Sequence, residues 1–429
     1  MSYKQMTGNI ISATKVVPTA NSSSAYGVAT GVWNLNDMYD YKRGGQWPIP
    51  AGVPGAPTIS GVTAGNAQVA VAFSANADNG GLTVSSFTAT ASSGQTASGS
   101  SSPLTVTSLT NLNAITFTVT ATNASGTSAA SSASSSVTPT PPSRGIFAGG
   151  YNASVETVNT IDYVQIQTTG NASDFGDLSS AQLGNAAVGN LSRVVISTSA
   201  DSNKTLEYVN PFTTGNVTNF GDLARTNETS PAINNSINGL FLSKSSATDF
   251  MKIVIATTGN SVDFGDIRTA VNYAGGNINN TTIGLVYGGY AGALVNTIDQ
   301  KNLNTNANST DFGDLTATTH RNPGGGCSTT RGVLGGGERG GSLTNVIDYV
   351  TIASAGNASD FGDLSLARRT LSAASDKLRC VFSGGYGSGV TNIIDYITIS
   401  STGNATDFGD LTVARQSLTG VGTSHGGIA

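Results

Sequence analysis

The chain has 429 residues, among them 54 glycines, with only 10% charged and 7% aromatic residues. Its net charge of −5 gives no basic footprint for nucleic acid and no polybasic anchor for a membrane surface. Helix formers such as Glu and Lys are scarce while turn formers and β-branched residues abound, so an all-β chain of many short strands is expected. Single cores usually stop growing at about 250–300 residues, so the length predicts two or three domains. Apolar runs such as Arg144-Gly-Ile-Phe-Ala148 fall far short of the roughly 20 residues of a membrane span, so no membrane insertion is expected. Residues 1–20 hold no basic segment followed by an apolar run and a small-residue cleavage site, so no secretory leader is expected. Cys327 and Cys380 belong to no Cys-x-x-Cys or Cys/His pattern and read as free thiols.

In chain order, residues 1–53 come first. They contain both tryptophans but little periodic apolar content. The stretch from Gly31 to Pro48 gathers Trp33, Leu35, Met38, Tyr39, Tyr41, Arg43 and Trp47. So short a segment cannot bury that aromatic surface alone, and aromatics with Arg are what interfaces favour. Docking on a partner through Trp33, Tyr39, Tyr41, Arg43 and Trp47 is therefore expected, with packing on the next domain as the alternative. The segment is similar to N-terminal segments of tailed-phage virion proteins, in which a short apolar strand and Trp-Pro, here Trp47-Pro48, precede modular β domains. That resemblance implies a virion-docking role.

Residues 54–140 read as a β-sandwich. Val69–Phe73, Val84–Thr90 and Ile115–Thr122 alternate apolar and polar residues, as half-buried strands do. From Pro54-Gly-Ala-Pro57 to Ala121-Thr-Asn-Ala-Ser-Gly126 the stretch resembles a fibronectin type III domain, although Phe73 replaces the usual strand tryptophan and Ile115 the corner tyrosine. Thr138-Pro-Thr-Pro-Pro-Ser143 then reads as a stiff, extended linker.

From residue 141 onward the sequence repeats. Asp174-Phe-Gly-Asp-Leu178 recurs with little change around Phe220, Phe264, Phe312, Phe361 and Phe408, every 44 to 49 residues counted from Phe175. A period in this range dictates architecture, and it matches a four-stranded unit. In the last repeat, Arg379-Cys-Val-Phe-Ser-Gly-Gly385 is a strand closed by two glycines and Asn392-Ile-Ile-Asp-Tyr-Ile-Thr-Ile399 a second, alternating strand. Thr402-Gly-Asn-Ala-Thr406 supplies turn chemistry, Phe408 and Leu411 a third strand, and Ala414-Arg-Gln-Ser-Leu418 the lead into a fourth.

This order resembles the kelch repeat. The resemblance covers residues 144–429 and implies a six-bladed β-propeller over residues 141–429. Double glycines are read at Gly149-Gly150, Gly288-Gly289, Gly335-Gly336 and Gly384-Gly385, whereas Ser197-Thr198 and Ser243-Lys244 stand in their place in repeats two and three. Phenylalanine replaces the usual kelch tryptophan throughout. Repeat one has no innermost strand before Arg144, so the C-terminal segment after Ser417 is expected to complete it and close the ring.

Several motifs suggest chemistry. Asp-Phe-Gly evokes the magnesium-binding turn of kinases, but no glycine-rich loop with its lysine and no His-Arg-Asp accompany it, and sixfold recurrence makes it structural. Paired acids such as Asp174 and Asp177 suit backbone capping better than calcium. Asp162-Tyr163, Asp348-Tyr349 and Asp395-Tyr396 read as packing positions, and the sequons at Asn171, Asn216, Asn357 and Asn404 as turns. A kelch-like copper oxidase needs histidine ligands, and His320 and His425 are too few. His320, in Thr319-His-Arg-Asn-Pro323, has no identifiable nucleophile or base partner, and a two-carboxylate glycosidase is disfavoured because the prominent acids all belong to the repeat. No catalysis, cofactor or metal is expected.

What remains is a binding surface. Loops Tyr151–Glu156, Tyr290–Leu294, Glu338–Ser342 and Tyr386–Val390 vary between constant flanks, which is how loops carry recognition. Tyr151, Tyr290 and Tyr386 suit sugar stacking, with blade packing as the even alternative, and Glu338 and Arg339 add charge. The chain thus resembles a phage appendage, a homo-oligomer on an extracellular particle assembled in the host cytoplasm, docked on other virion proteins and presenting its propeller to a host glycan or receptor. A decoration subunit packing on capsid or tail, a secreted bacterial adhesin and a polysaccharide-degrading enzyme are the competing classes.

Overall fold

A computed structural model describes residues 51–198, 204–227, 229–244, 248–319 and 323–424. The docking candidates Trp33, Tyr39, Tyr41, Arg43 and Trp47 lie outside the described residues, as do His320 and His425. The described chain is all-β and contains no helix. It divides into two compact units, Met1–Pro141 and Pro142–Ala429.

In the first unit, Thr58–Gly65, Gln68–Ser74 and Leu104–Val106 form one antiparallel sheet, and Thr96–Gly99, Ser86–Ala91, Phe117–Asn123 and Gly126–Thr127 another, each in that spatial order. Alternate residues of both, including Val69, Val71, Phe73, Phe87, Phe117 and Val119, share a single core, so the two sheets form a sandwich. The serine-rich stretch that follows seals a sheet edge. Ser128, Ser131 and Ser134 donate their N–H groups to the carbonyls of Ala121, Val119 and Phe117 at 2.8 to 2.9 Å. Each Oγ then accepts the N–H of that same residue at 3.0 Å. A serine at every third position thereby supplies the acceptor that a neighbouring strand would have supplied, leaving little to template another chain.

The described residues of the second unit form six four-stranded antiparallel sheets and two short hairpins. From inner to outer strand, the first sheet runs Thr419–Gly422, Arg144–Ala148, Thr160–Gln165, Ser173–Asp177. The sixth runs Ser372–Ser375, Arg379–Ser383, Ile393–Thr398, Thr406–Asp410, and the four between follow the same plan. Thus the C-terminal strand pairs with the first, Val421 opposite Ile146. The inner strands Thr419–Gly422, Ala187–Gly189, Ala232–Asn234, Gly275–Asn279, Gly324–Cys327 and Ser372–Ser375 neighbour one another in that order, and the last returns to the first.

Six apolar clusters lie between consecutive sheets. Between the sixth and the first, Phe147 and Val164 meet Val381, Ile394, Phe408 and Leu411. The motif phenylalanines are buried in these clusters, and in four sheets a tyrosine of the third strand meets one edge-on, Tyr396 on Phe408 at 5.9 Å for example. The motif glycine has a separate cause. A Cβ on Gly409 would lie 2.5 Å from the Gly170 carbonyl of the neighbouring turn, and Gly176, Gly221, Gly313 and Gly362 face the equivalent carbonyl at 2.3 to 2.4 Å. The turn asparagines Asn171, Asn216, Asn260, Asn308, Asn357 and Asn404 accept, through Oδ1, the N–H of Asp410, Asp177, Asp222, Asp266, Asp314 and Asp363 of the neighbouring sheet at 2.9 to 3.1 Å. The recurrent motif therefore joins one sheet to the next.

Gly409→Ala is expected to lose ~2 kcal/mol or more, because the left-handed backbone (φ 146°) and the carbonyl both oppose a side chain. Gly403→Ala, at φ 155° with nothing within 4 Å, is expected to lose only ~1 kcal/mol in the same urea unfolding assay.

Candidate functional site

The site is built on the turns that follow the second strand of each sheet. Both residues of Gly149-Gly150, Gly288-Gly289, Gly336-Gly337 and Gly384-Gly385 take positive φ. In the fifth sheet the left-handed pair is Gly336-Gly337 rather than Gly335-Gly336, since Gly335 still pairs with Ile347 inside its strand. The backbone crosses the segment leading to the inner strand so closely that a Cβ on Gly150, Gly289 or Gly385 would lie 2.7 to 2.8 Å from the carbonyl of Gln416, Asn272 or Arg369. The next residue exchanges two backbone hydrogen bonds with that same segment: Tyr151 with Gln416, Tyr290 with Asn272 and Tyr386 with Arg369.

These three tyrosines therefore occupy equivalent positions on three sheets, in different surroundings. Tyr290 is 45% exposed. Tyr151 and Tyr386 are half-buried, and the Arg369 guanidinium lies 5.3 Å from the Tyr386 ring centre. Glu338 takes the equivalent place on the fifth sheet, where its carboxylate meets Arg369 at 2.6 Å. Glu338, Arg369 and Tyr386 thus form one chain across two sheets. Arg339 turns inward, to Asp348 at 2.7 Å and Thr316 at 3.0 Å, so its charge is engaged beneath the surface.

A collar of backbone lies inside the tyrosines. Gly184, Thr229, Tyr273, Thr370 and Ser417 stand two residues before equivalent inner-strand positions, and all have φ between 50° and 72°. Their amides link sheet to sheet: Ser417 donates to Thr370, Gly184 to Ser417, Thr229 to Gly184 and Tyr273 to Thr229, at 2.8 to 3.2 Å. The collar opens on an axial depression of about 60 Å³ lined from all six sheets by Asn185, Ser230, Gly276, Asn277, Ser372 and Thr419 among others. Its floor is a bulge. The register shifts between Gly275 and Ile278, Tyr287 fills the space beneath and donates to the Gly276 carbonyl at 3.0 Å, and Asn277 donates to the Gly420 carbonyl at 2.9 Å. Arg369, Asn272 and Tyr273 were not singled out by the motifs, and Gln416 was read only within the lead into a fourth strand; Gly184 is the one glycine among the described collar positions.

Buried carboxylates hold this face in place. Asp162 accepts Thr412 Oγ1–H at 2.6 Å and pairs with Arg415 at 3.1 Å, both side chains fully buried, between the first and sixth sheets. Asp395 does the same with Ser365 and Arg368 between the sixth and fifth. Burial lowers the pKa of both arginines, and the facing aspartates oppose that shift. The arginine carbonyls meanwhile accept from the glycine turns, Arg415 from Gly385 at 2.9 Å and Arg368 from Gly337 at 2.8 Å. One residue thus holds a carboxylate with its side chain and a recognition loop with its backbone. The Asp-Tyr aspartates are consumed in this role, and among the described residues no three of His, Cys, Asp and Glu come together as a metal site.

On the outer part of the fourth sheet, Lys301 is buried, donates to the Thr305 carbonyl at 3.2 Å and to that of Ala307, and lies 4.7 Å from the Phe264 ring centre. Desolvation lowers its pKa to about 8, against the pull of Asp263 and Asp266. Cys327 and Cys380 are free and buried, and burial raises the Cys327 thiol to about 11. Cys327 Sγ donates to the Asn279 carbonyl at 3.2 Å, so this thiol serves as an inter-sheet hydrogen-bonding group.

Arg415→Met is expected to cost ~3–5 kcal/mol in equilibrium unfolding, because it strands Asp162 without its cation, and adding Asp162→Asn should recover part of the loss. For Lys301 the folded pKa lies below the unfolded one, so stability is lowest below about pH 8 and rises as pH climbs toward the ordinary lysine value. Lys301→Met should gain ~1 kcal/mol or more at pH 7 and flatten the rise between pH 8 and 10.5 in thermal melts.

No protein-family model and no curated protein matches this chain. Among solved structures, that of YjhT aligns at a TM-score of 0.46 and 9% identity, covering 58% of this chain and 91% of that one.

Proposed function

We propose that the second unit is a six-bladed β-propeller of the kelch kind and that the chain is a tailed-phage virion appendage, displaying that propeller for adhesion to a host surface glycan or receptor. The first unit contributes a fibronectin type III-like sandwich, and residues 1–53 dock on other virion proteins. The chain acts by binding rather than by catalysis, as a homo-oligomer on the assembled particle.

Two lines of support stand behind the architecture. Thr419–Gly422 returns to Arg144–Ala148, and the inner strands succeed one another in an unbroken cycle. The observation that carries the adhesive reading is the collar face. Variable loops after the double glycines surround a polar depression, Tyr290 stands exposed among them, and the carboxylates beneath are engaged as clamps. Variation concentrated on one rigid frame suits recognition.

Purified full-length chain should bind host cells saturably and block particle adsorption. Tyr290→Ala should weaken that binding about tenfold, in the range of ~1.4 kcal/mol. Full-length chain that binds no host cell, while imaging places it inside the particle wall, would sink the adhesive reading and favour the decoration subunit.

A further inference from the structure

The collar conformation suits glycine and is tolerated by small polar residues, and Gly184, Thr229, Thr370 and Ser417 conform. Tyr273 does not. A bulky aromatic at φ 54° is an outlier that packing normally explains, yet Tyr273 is 42% exposed. Among the described residues its ring stacks on no other ring and under no cation, and its hydroxyl has no hydrogen-bond partner. Several tyrosines of this unit are engaged: Tyr396 lies between Arg379 and Phe408, and Tyr386 beside Arg369. Tyr290, bridged to the adjacent Asn272 and 45% exposed, is the second unengaged ring at the same corner.

The surroundings restrict what such a pair holds. Tyr273 donates its backbone N–H to Thr229, and Thr229, Ala274 and Gly275 line the axial depression. Ser230, Asn277, Ser372 and Thr419 are among the residues that line it, with no charged side chain among its described lining residues. At about 60 Å³ it is too small for a whole sugar and admits a hydroxymethyl group or two ring hydroxyls. A pyranose offers an apolar C–H face to an aromatic surface and a polar rim to such a depression, and its described lining residues give a carboxylated sugar no counter-charge.

We propose that Tyr273 and Tyr290 form an aromatic platform that takes a neutral hexose ring at the mouth of the axial depression. The proposal rests on the adhesive reading and names its ligand class and a specificity residue, Tyr273, that the loop pattern does not include. Full-length protein is titrated with neutral methyl hexosides, and with glucuronic and sialic acids as acidic counterparts, by saturation-transfer NMR and calorimetry. The expected result is saturable binding of a neutral hexoside, weakened tenfold or more by Tyr273→Asn and by Tyr290→Ala. Thr402→Ala on the outer rim should leave it unchanged. Because Asn accepts the left-handed backbone, Tyr273→Asn should hold or raise the thermal midpoint, separating lost binding from lost fold. Preference for the acidic sugars, indifference to Tyr273→Asn, or no hexoside binding at all each overturns the proposal. Host-cell binding that persists in any of these cases leaves the adhesive reading standing, and its loss as well removes both.

Discussion

The contact between one sheet and the next is the constraint on which the second unit depends, and its centre is a buried carboxylate. Where the clamp is complete, the third strand offers an Asp and the neighbouring sheet offers Ser or Thr followed three residues later by Arg: Ser365 with Arg368, and Thr412 with Arg415. Elsewhere the partners change together. Thr319 replaces the arginine beside Asp348, and Arg339 reaches in from its own sheet. Glu207 faces Ser179 where Gln182 stands for Arg. In the third sheet the carboxylate itself is absent: Met251 takes its place, its Sδ accepting the Arg225 N–H at 3.1 Å. A buried charge without its partner is strongly destabilising, which fits the joint loss of anion and cation where Met251 and Asn227 stand, whereas Glu207 keeps its carboxylate beside Gln182 and is held by Ser179.

This tolerance explains why repeats two and three look irregular yet hold the same four-stranded plan. Each junction is redundant: apolar packing, the turn asparagine and, at three of them, an arginine of the second strand that donates to a carbonyl of the adjoining sheet, such as Arg379 to Gln167 at 3.1 Å. On the inner strands the positions of Asn234, Asn279, Cys327 and Ser375 carry another series, each side chain bonding the backbone of its predecessor, with Cys327 accepting and donating where an amide or hydroxyl stands elsewhere.

Much of this was legible in the sequence because it repeats. The Phe-Gly-Asp period gave the number of sheets, and the C-terminal segment's likeness to an inner strand gave its pairing with Arg144–Ala148. The double glycine of the fifth sheet was misplaced by one because three consecutive glycines, Gly335 to Gly337, leave the register to the strand pairing. The collar was hidden for a different reason. Its requirement is a backbone angle, which Thr, Tyr and Ser meet at these positions without an identifying residue type. Glu338 and Arg339, which read as surface charge, are drawn to Arg369 and Asp348 by sequence-distant partners that no local motif reveals. The role of Ser128, Ser131 and Ser134 is set by the strand they face, which no local motif reveals.

The pairing of Thr419–Gly422 with Arg144–Ala148 also fixes an order in time. Arg144 and Thr423, 279 residues apart, are joined by an N–H to hydroxyl bond of 2.9 Å. During synthesis the first sheet must therefore wait, with its inner edge open, until Thr419–Gly422 has left the ribosome. Five sheets can assemble as they emerge, but the unit becomes cooperative only at the end, when the final strand converts a linear stack into one body whose junctions open together. Truncation near the C-terminus thus removes the latch of the whole unit, while the sandwich before it is already complete.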